Sequence, residues 1–534
     1  MNEERKHNVQ SVKDGGLRLL KKGKRGMVRV IFGRTGLVLL LFCLQVGLLF
    51  SVFRWFVGLV PHLFGGAILF TAIMVVYLLN SEMDNSAKIT WLVVIALVPV
   101  LGVVLFWWTK GEIGHRMLKK RLATLAQQTR EKLPQPPGAL EALEAAHPDA
   151  SGLARYLRGP GGGFPAYENT ALTYFPSGEA KFEALLRQLE QAEHYIFLEY
   201  FIIDEGLMWG KVLEILARKA AQGVDVRVMY DGTCEFTNLP RDYPQRLGRL
   251  NIACKVFSPL TPFVSTHYNY RDHRKIVVID GKVGFTGGVN LADEYINAIE
   301  KYGRWKDAAL MLEGEAVRSL TAQFLQMWGI AQEPEFADFL DQPLPAPAHP
   351  AGFAAPYGDC PLDGERVGEL VYIDLLNRAR SYIHIMTPYL ILDGELETAL
   401  KFAAQRGVDV HLILPGVPDK KFPYALAKNH YLSLLGAGVK ISEWVPGFVH
   451  AKVFVVDGRE AVVGTINLDY RSLYHHFEDA VWMADAPCIA AIEEDFQRTL
   501  SQCRTVEPTK KSIWQGNVLQ RLTGQLLKAI APLL

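Results

Sequence analysis

The chain has 534 residues with 57 Lys+Arg against 56 Asp+Glu, a net charge of +1, so no global positive field marks it as a nucleic-acid binder. That length allows several domains and a large core. Its six cysteines (Cys43, Cys234, Cys254, Cys360, Cys488, Cys503) are scattered without a C-x-x-C pair, which argues against a zinc cluster or a disulfide framework and fits a reducing compartment.

Residues 1–35 carry ten Lys/Arg and three Asp/Glu and read as a basic juxtamembrane arm, with Gly15–Lys24 as a short surface helix. Residues 36–109 hold three apolar segments, Gly36–Phe53, Leu63–Leu79 and Ile89–Trp108, enough for two or three membrane helices at ~20 residues per crossing. The first run is too long and too far from Met1 for a cleaved signal peptide. Lys110–Lys132 carries seven Lys/Arg, so both flanks read as cytoplasmic, which requires an even number of crossings. Three segments conflict with that. Either one is re-entrant or interfacial, or the remainder faces outward. The expectation is a multi-pass cell-membrane protein with its catalytic part in the cytoplasm.

Residues 110–165 read as a linker ending in the glycine-rich Gly159–Gly163; without a following Lys-Ser/Thr this is not a phosphate-cradling loop. From Ala166 the pattern is α/β. Phe182–Ala192 has helical periodicity, Tyr195–Ile203 reads as a buried strand, Leu207–Gln222 as a helix and Val224–Tyr230 as a strand. The order then recurs: Tyr382–Leu392 as a strand, Glu395–Arg406 as a helix, Val408–Leu414 as a strand. AAQGVDVRV from Ala220 and AAQRGVDVHL from Ala403 are the same unit. Two related halves, 166–331 and 366–506, imply a pseudo-twofold arrangement. Residues 332–365, whose stretch from Gln332 to Pro361 holds seven prolines, read as an extended connector. Residues 507–534 read as a C-terminal amphipathic helix, lying either on a membrane or on the domain surface.

Each half carries one copy of H-x-K-x4-D followed by Gly and Asn. His273, Lys275 and Asp280 precede Gly287, Gly288 and Asn290; His450, Lys452 and Asp457 precede Gly464, Thr465 and Asn467. Five shared residue types at roughly 5% usage each make even one chance copy improbable. Each His and Lys fall two apart before an apolar strand and so share a face, while Asp280-Gly281 and Asp457-Gly458 read as tight turns. Asp is common in such turns for backbone reasons, so a purely structural role stands beside a catalytic one. A returning strand brings each Asn to the same end.

Two His, two Lys and two Asn around one cavity suit a phosphodiester. Lysines neutralise non-bridging oxygens and Asn amides donate as charge builds. One neutral imidazole can attack phosphorus, and the other can protonate the leaving alkoxide and deprotonate the incoming hydroxyl. Asp307 (WKDAAL) and Glu478 (HFEDAV) align between the halves and are the candidates for holding each ring's second nitrogen. No metal is required, and no pattern such as H-E-x-x-H appears. Glu199 aligns with Thr387 and is a weak candidate; His267, His475 and His476 read as exposed.

The paired motifs resemble those of the phospholipase D superfamily, and within it the bacterial cardiolipin synthases. The stretches that carry the resemblance start at Asn269 (NYRDHRKIVVIDGKVGFTGGVNLADEY), Thr387 (TPYLILDGELETALKFAAQRGVDVHLILPG) and Pro446 (PGFVHAKVFVVDGREAVVGTINLDYRS). SAKITWLVVIALVPVLGVVLFWW resembles that family's last membrane span. The resemblance implies two phospholipase D-like α/β/α sandwich halves behind a helical membrane region. It implies transfer of a phosphatidyl group between two phosphatidylglycerols, giving cardiolipin and glycerol, without a cofactor and with membrane lipid as partner. By the resemblance His273 is the nucleophile and His450 the acid/base, with the reverse assignment open. Two departures stand out: Thr465 where Ser is common, and DGTCEF from Asp231 where an acidic-Gly-Ser pattern is common. A hydrolase with water as acceptor, a phosphatidyltransferase with another acceptor, and a non-catalytic scaffold remain as rivals. The scaffold conflicts with the presence of both His and both Lys.

Overall fold

In the computed structural model the described residues are 113–259 and 270–514 without interruption; nearer the N-terminus they are 10–12, 16–19, 64–81, 85–97 and single positions between 47 and 107, and beyond 514 they are 521, 524, 525, 527 and 528. The expectation for 36–63 and most of that for 507–534 therefore lie outside the described residues, as does His267.

The first half builds a seven-stranded sheet from β1 (Thr170–Phe175), β2 (Tyr195–Tyr200), β3 (Asp225–Asp231), β4 (Ala253–Phe257), β5 (Lys275–Ile279), β6 (Val283–Gly287) and β7 (Ala309–Gly314), in the order β1-β7-β6-β5-β2-β3-β4. The second half uses β8 (Phe353–Asp359), β9 (Tyr382–Met386), β10 (Asp409–Pro415), β11 (Lys440–Trp444), β12 (Val453–Val456), β13 (Glu460–Gly464), β14 (His476–Ala484) and β15 (Cys503–Thr505), in the order β8-β14-β13-β12-β9-β10-β11-β15. Apart from β15 the two orders are identical. Their pairing senses also match: β2 is parallel to β3 and antiparallel to β5, and β9 is parallel to β10 and antiparallel to β12. The helices expected between these strands form at Gly178–Glu190, Leu207–Ala221 and Gly394–Gln405.

The two sheets share a core through the helix Val317–Trp328, which packs on β2 and β5 of the first sheet and on β8 of the second. On β5 the side chains alternate: Ile276 and Val278 join a core shared with the second half, while Val277 and Ile279 face the helices of their own half. The shared core runs from Phe197 and Leu310 to Phe454 and Trp482, so the halves are not independent bodies.

Several expectations change. Residues 110–165 are not a plain linker but three helices, Ile113–Lys132, Ala139–Ala146 and Pro148–Arg158. Leu125, Leu143, Leu153 and Leu157 are buried there, and that apolar spacing outweighs the Pro and Gly that flank it. The Pro-rich stretch also contributes structure: a short helix, Phe336–Leu340, and the edge strand β8, whose paired side carries the ladder. Gly16–Arg18 is a strand paired with Gln10–Val12 rather than a helix. Phe64–Leu79 and Asn85–Leu97 are helices, but among the described residues no helix is long and apolar enough to cross a membrane.

Asp280 and Asp457, placed by the motif among the catalytic residues, belong instead to the scaffold. Each follows the far end of its strand, roughly 20 Å of extended chain from the motif histidine. Each adopts φ 51°, followed by Gly281 or Gly458 at φ 65°, the left-handed pair of a tight hairpin turn. The Asp280 carboxylate accepts three backbone N–H groups, from Glu193, His194 and Tyr195, all at 2.8 Å. Asp457 does the same for Arg380, Ser381 and Tyr382, also at 2.8 Å. The two aspartates thus pin the starts of β2 and β9 to the β5–β6 and β12–β13 hairpins.

Asp280→Ala leaves three N–H groups without their acceptor. The expected outcome is a loss of about 2–4 kcal/mol of stability, read as a lowered midpoint in thermal or denaturant unfolding. Turnover per folded molecule should change far less than with any substitution at His273.

Candidate active site

Two short parallel strand pairs join the halves and build the site. Arg271–Asp272 pairs with the start of β14 in the register Arg271↔His476 and Asp272↔Phe477. Arg304–Lys306 pairs with Gly447–Val449, ending in Lys306↔Val449. One residue further along the first pair, His273 meets Glu478. One residue further along the second, His450 meets Asp307. The backbone confirms the alignment: His273 N–H donates to Phe477 O at 2.9 Å and His450 N–H to Lys306 O at 2.7 Å.

Both expected carboxylates hold a histidine, and each holds the one from the other half. His273 Nδ1 lies 2.8 Å from Glu478 Oε2, and His450 Nδ1 lies 2.7 Å from Asp307 Oδ2. An ionised carboxylate only accepts, so a proton on Nδ1 completes each contact and leaves Nε2 its lone pair; at His450 the Lys452 Nζ, 2.9 Å from the same Nδ1, competes for that nitrogen. Both rings are buried. Phe201 lies edge-on to His273 at 4.9 Å between ring centroids, while Tyr295 and Trp305 each lie 5.3 Å from His450.

Burial governs the charges. Desolvation pulls His273 well below the usual imidazole range, against the pull of Glu478, and lowers His450 to about 4, helped by Lys452. It also lowers Lys275 to about 8 and Lys452 to about 7. Burial works against ionisation of Glu478 and Asp307 too, yet the histidine each one holds outweighs it, and both carboxyls sit below their usual range. Lys275 feels Asp307, and Lys452 feels Glu478, so the two motifs share one electrostatic site. Each lysine ammonium turns back to the carbonyl of its own motif histidine.

The asparagines are also buried. Asn290 accepts from Ile202 N–H at 3.0 Å and donates to the Tyr295 hydroxyl at 2.8 Å, which commits one of its two amide hydrogens. Asn467 Oδ1 has no partner among the described residues. Glu199 is fully buried and pairs with Arg274 at 2.6 Å, a structural ion pair.

Three features escaped the sequence reading. His476, expected to be exposed, is 7% exposed and lies 5.3 Å from His273 between ring centroids; the signal was its place two residues before Glu478 on a strand, which puts both on one face. Asp479 is fully buried and accepts from the Thr286 hydroxyl. Residue 288 must be Gly, because a Cβ there would lie 2.0 Å from Asp307 Oδ1. At the equivalent position of the other half the longer Glu478 leaves room for Thr465, whose hydroxyl donates to it.

The family model described as cardiolipin synthase, phospholipase D-like domain matches residues 185–328 and 372–500. An uncharacterised protein of Streptococcus mutans is 55% identical over 86% of this chain and 99% of its own length. The cardiolipin synthase of Geobacillus kaustophilus is 33% identical over 89% of this chain and 94% of its own. The crystal structure of phosphatidylserine synthase from Haemophilus influenzae superimposes with a TM-score of 0.54 at 15% identity, covering 69% of this chain and 95% of that one. That likeness is one of fold.

Gly288→Ala must displace Asp307 from His450. Turnover should fall by at least about tenfold, the scale of a lost orienting contact. Thr465→Ala removes one neutral donor to Glu478 and should cost less. Parallel rate measurements on the two folded variants check the order.

Proposed function

The chain belongs to the cardiolipin synthase family of phospholipase D-like phosphatidyltransferases, and we propose that it joins two phosphatidylglycerols into cardiolipin with release of glycerol. The observation that carries this reading is the pair of reciprocal carboxylate–imidazole contacts, which leaves two Nε2 atoms free to act on one phosphorus.

In the first step His273 Nε2 attacks the phosphorus of one phosphatidylglycerol. A P–N bond forms and the P–O bond to the head-group glycerol breaks. His450, protonated once the anionic phosphodiester has raised its pKa, gives its Nε2 proton to the leaving alkoxide. Glycerol departs and leaves a phosphatidyl-histidine. In the second step a primary hydroxyl of another phosphatidylglycerol gives its proton to His450, and its oxygen attacks phosphorus as the P–N bond breaks. Glu478 balances the positive charge that His273 gains on phosphorylation. Lys275 and Lys452 neutralise the non-bridging oxygens, and Asn290 and Asn467 line the same site.

Membrane attachment through 36–109 belongs to the same proposal. Among its described residues Ile73, Val76, Leu79, Ile89 and Val93 are exposed on a helical hairpin whose small core holds Leu78, Trp91 and Phe106. Such an apolar face fits contact with lipid. A cavity of about 980 Å³ runs from Tyr77 on this hairpin to Arg366, Tyr474, His475 and Tyr270, the last only three residues before His273. It offers a lipid a route from the hairpin toward the site. The expected side for the catalytic part is the cytoplasm.

The test is product analysis. Purified protein in detergent, given phosphatidylglycerol alone, should yield cardiolipin and an equal amount of glycerol by mass spectrometry. Phosphatidic acid as the main product would replace the transferase reading with a hydrolase. His273→Ala and His450→Ala should each lower turnover on the order of a thousandfold or more while the protein still folds. Substantial activity in either variant would sink the two-histidine mechanism.

A further inference from the structure

We propose that His273, His476 and Glu478 form a binding site for one zinc-class divalent ion, and that occupation of this site switches the enzyme off. One donor atom from each residue lies within 4.8 Å of the other two. Both ring nitrogens of His476 and Glu478 Oε1 are buried without a hydrogen-bond partner among the described residues. Buried polar atoms are normally paired, so three at one point without a protein partner leave ligand capacity directed at that point. His476 Nδ1 stands 3.5 Å from Glu478 Oε1. That is long for a good hydrogen bond but close to the ligand–ligand edge of about 3.4 Å in a tetrahedral site with bonds near 2.1 Å.

The donor set selects the ion. Two imidazoles and one carboxylate suit zinc, nickel or copper, whereas magnesium and calcium prefer oxygen ligands. A water completes the shell. Lys275, tied to the His273 carbonyl, opposes a cation here and holds the affinity below that of a structural zinc site.

The site exists on one side only. In the aligned segments WKDAAL and HFEDAV, Trp305 takes the place of His476. Its ring lies 5.3 Å from His450, the separation that His476 keeps from His273. The acid/base side therefore has an indole where the nucleophile side has a third imidazole.

Inhibition follows from the tautomer, and this part rests on the reading of His273 as nucleophile. A metal on His273 Nδ1 takes the lone pair of that nitrogen, so the ring proton moves to Nε2. Nε2–H has no lone pair with which to attack phosphorus, and Glu478 is drawn away from its orienting contact.

The experiment uses the full-length protein in detergent, freed of metal by chelation. Zinc chloride titrated in a calorimeter should bind once per chain, and magnesium should not. His476→Asn and His476→Trp, the second copying Trp305, should weaken zinc binding on the order of 10- to 100-fold or more, with folding checked by thermal melt. In parallel, phosphatidylglycerol turnover should fall as zinc occupancy rises and return with EDTA. Both variants should resist zinc relative to their own metal-free rates. Absence of saturable zinc binding, or binding unchanged in both variants, overturns the site. Stoichiometric binding that both variants abolish, with wild-type turnover unaffected, overturns the switch. Calorimetry needs no turnover, so failure of the metal site is distinguishable from failure of the cardiolipin reading.

Discussion

The register of two short parallel strand pairs is the constraint on which the site depends. Arg271–Asp272 against the start of β14, and Arg304–Lys306 against Gly447–Val449, each stop one residue short of a histidine facing a carboxylate. A slip of one residue in either pair would turn the acid to the opposite face. Neither half holds its own histidine, so neither half alone contains a complete catalytic unit. The core shared by the halves keeps these short pairs in place, with a helix laid on each sheet: Tyr372 stacks on Phe454 at 3.8 Å in the second half, and Phe324 on Phe197 at 4.5 Å in the first.

Such a seam gathers charges that would be costly to bury singly. Two lysines, two histidines and two carboxylates meet with little exposure. The carboxylates stay ionised because the histidines hold them, and the rings stay neutral because burial outweighs that attraction. The lysines respond by sliding toward neutrality, to about 8 and about 7. A bound anion would supply the negative charge these lysines lack, which ties the site's selectivity to burial rather than to net charge.

Much of this was legible in the sequence. The repeated His, Lys and Asn, the αβ order around AAQGVDVRV and AAQRGVDVHL, and the alignment of Asp307 with Glu478 follow from spacing alone. The crossing did not, because the partners lie 205 and 143 residues apart and no local pattern encodes the register between them. Asp280 and Asp457 share a motif with the catalytic groups yet serve the backbone. Spacing reports that residues occur together but not which end of a strand they occupy. His476 reads as a surface residue in the sequence, whereas in the fold the strand Arg271–Asp272, far from it in the chain, is laid alongside and the ring is buried. Residues 113–158 were obscured by flanking Pro and Gly, although the buried leucines were in plain sight.

The two motifs are nearly identical, yet their surroundings are not. His450 is held by Asp307, whose Oδ1 also accepts the Ala308 N–H and whose Oδ2 lies 3.5 Å from the Trp305 indole nitrogen. Its charge is shared among several donors. Glu478 is engaged as heavily: Oε2, the oxygen that holds His273, also accepts the Thr465 hydroxyl, and Oε1 stands 3.5 Å from His476 Nδ1. The difference lies in length and neighbours: the short Asp307 demands Gly288 and sits beside Trp305, while the longer Glu478 admits Thr465 beneath it and sits beside His476. A duplicated half can thus make two unlike environments by changing the neighbours of the histidines and leaving the histidines themselves alone.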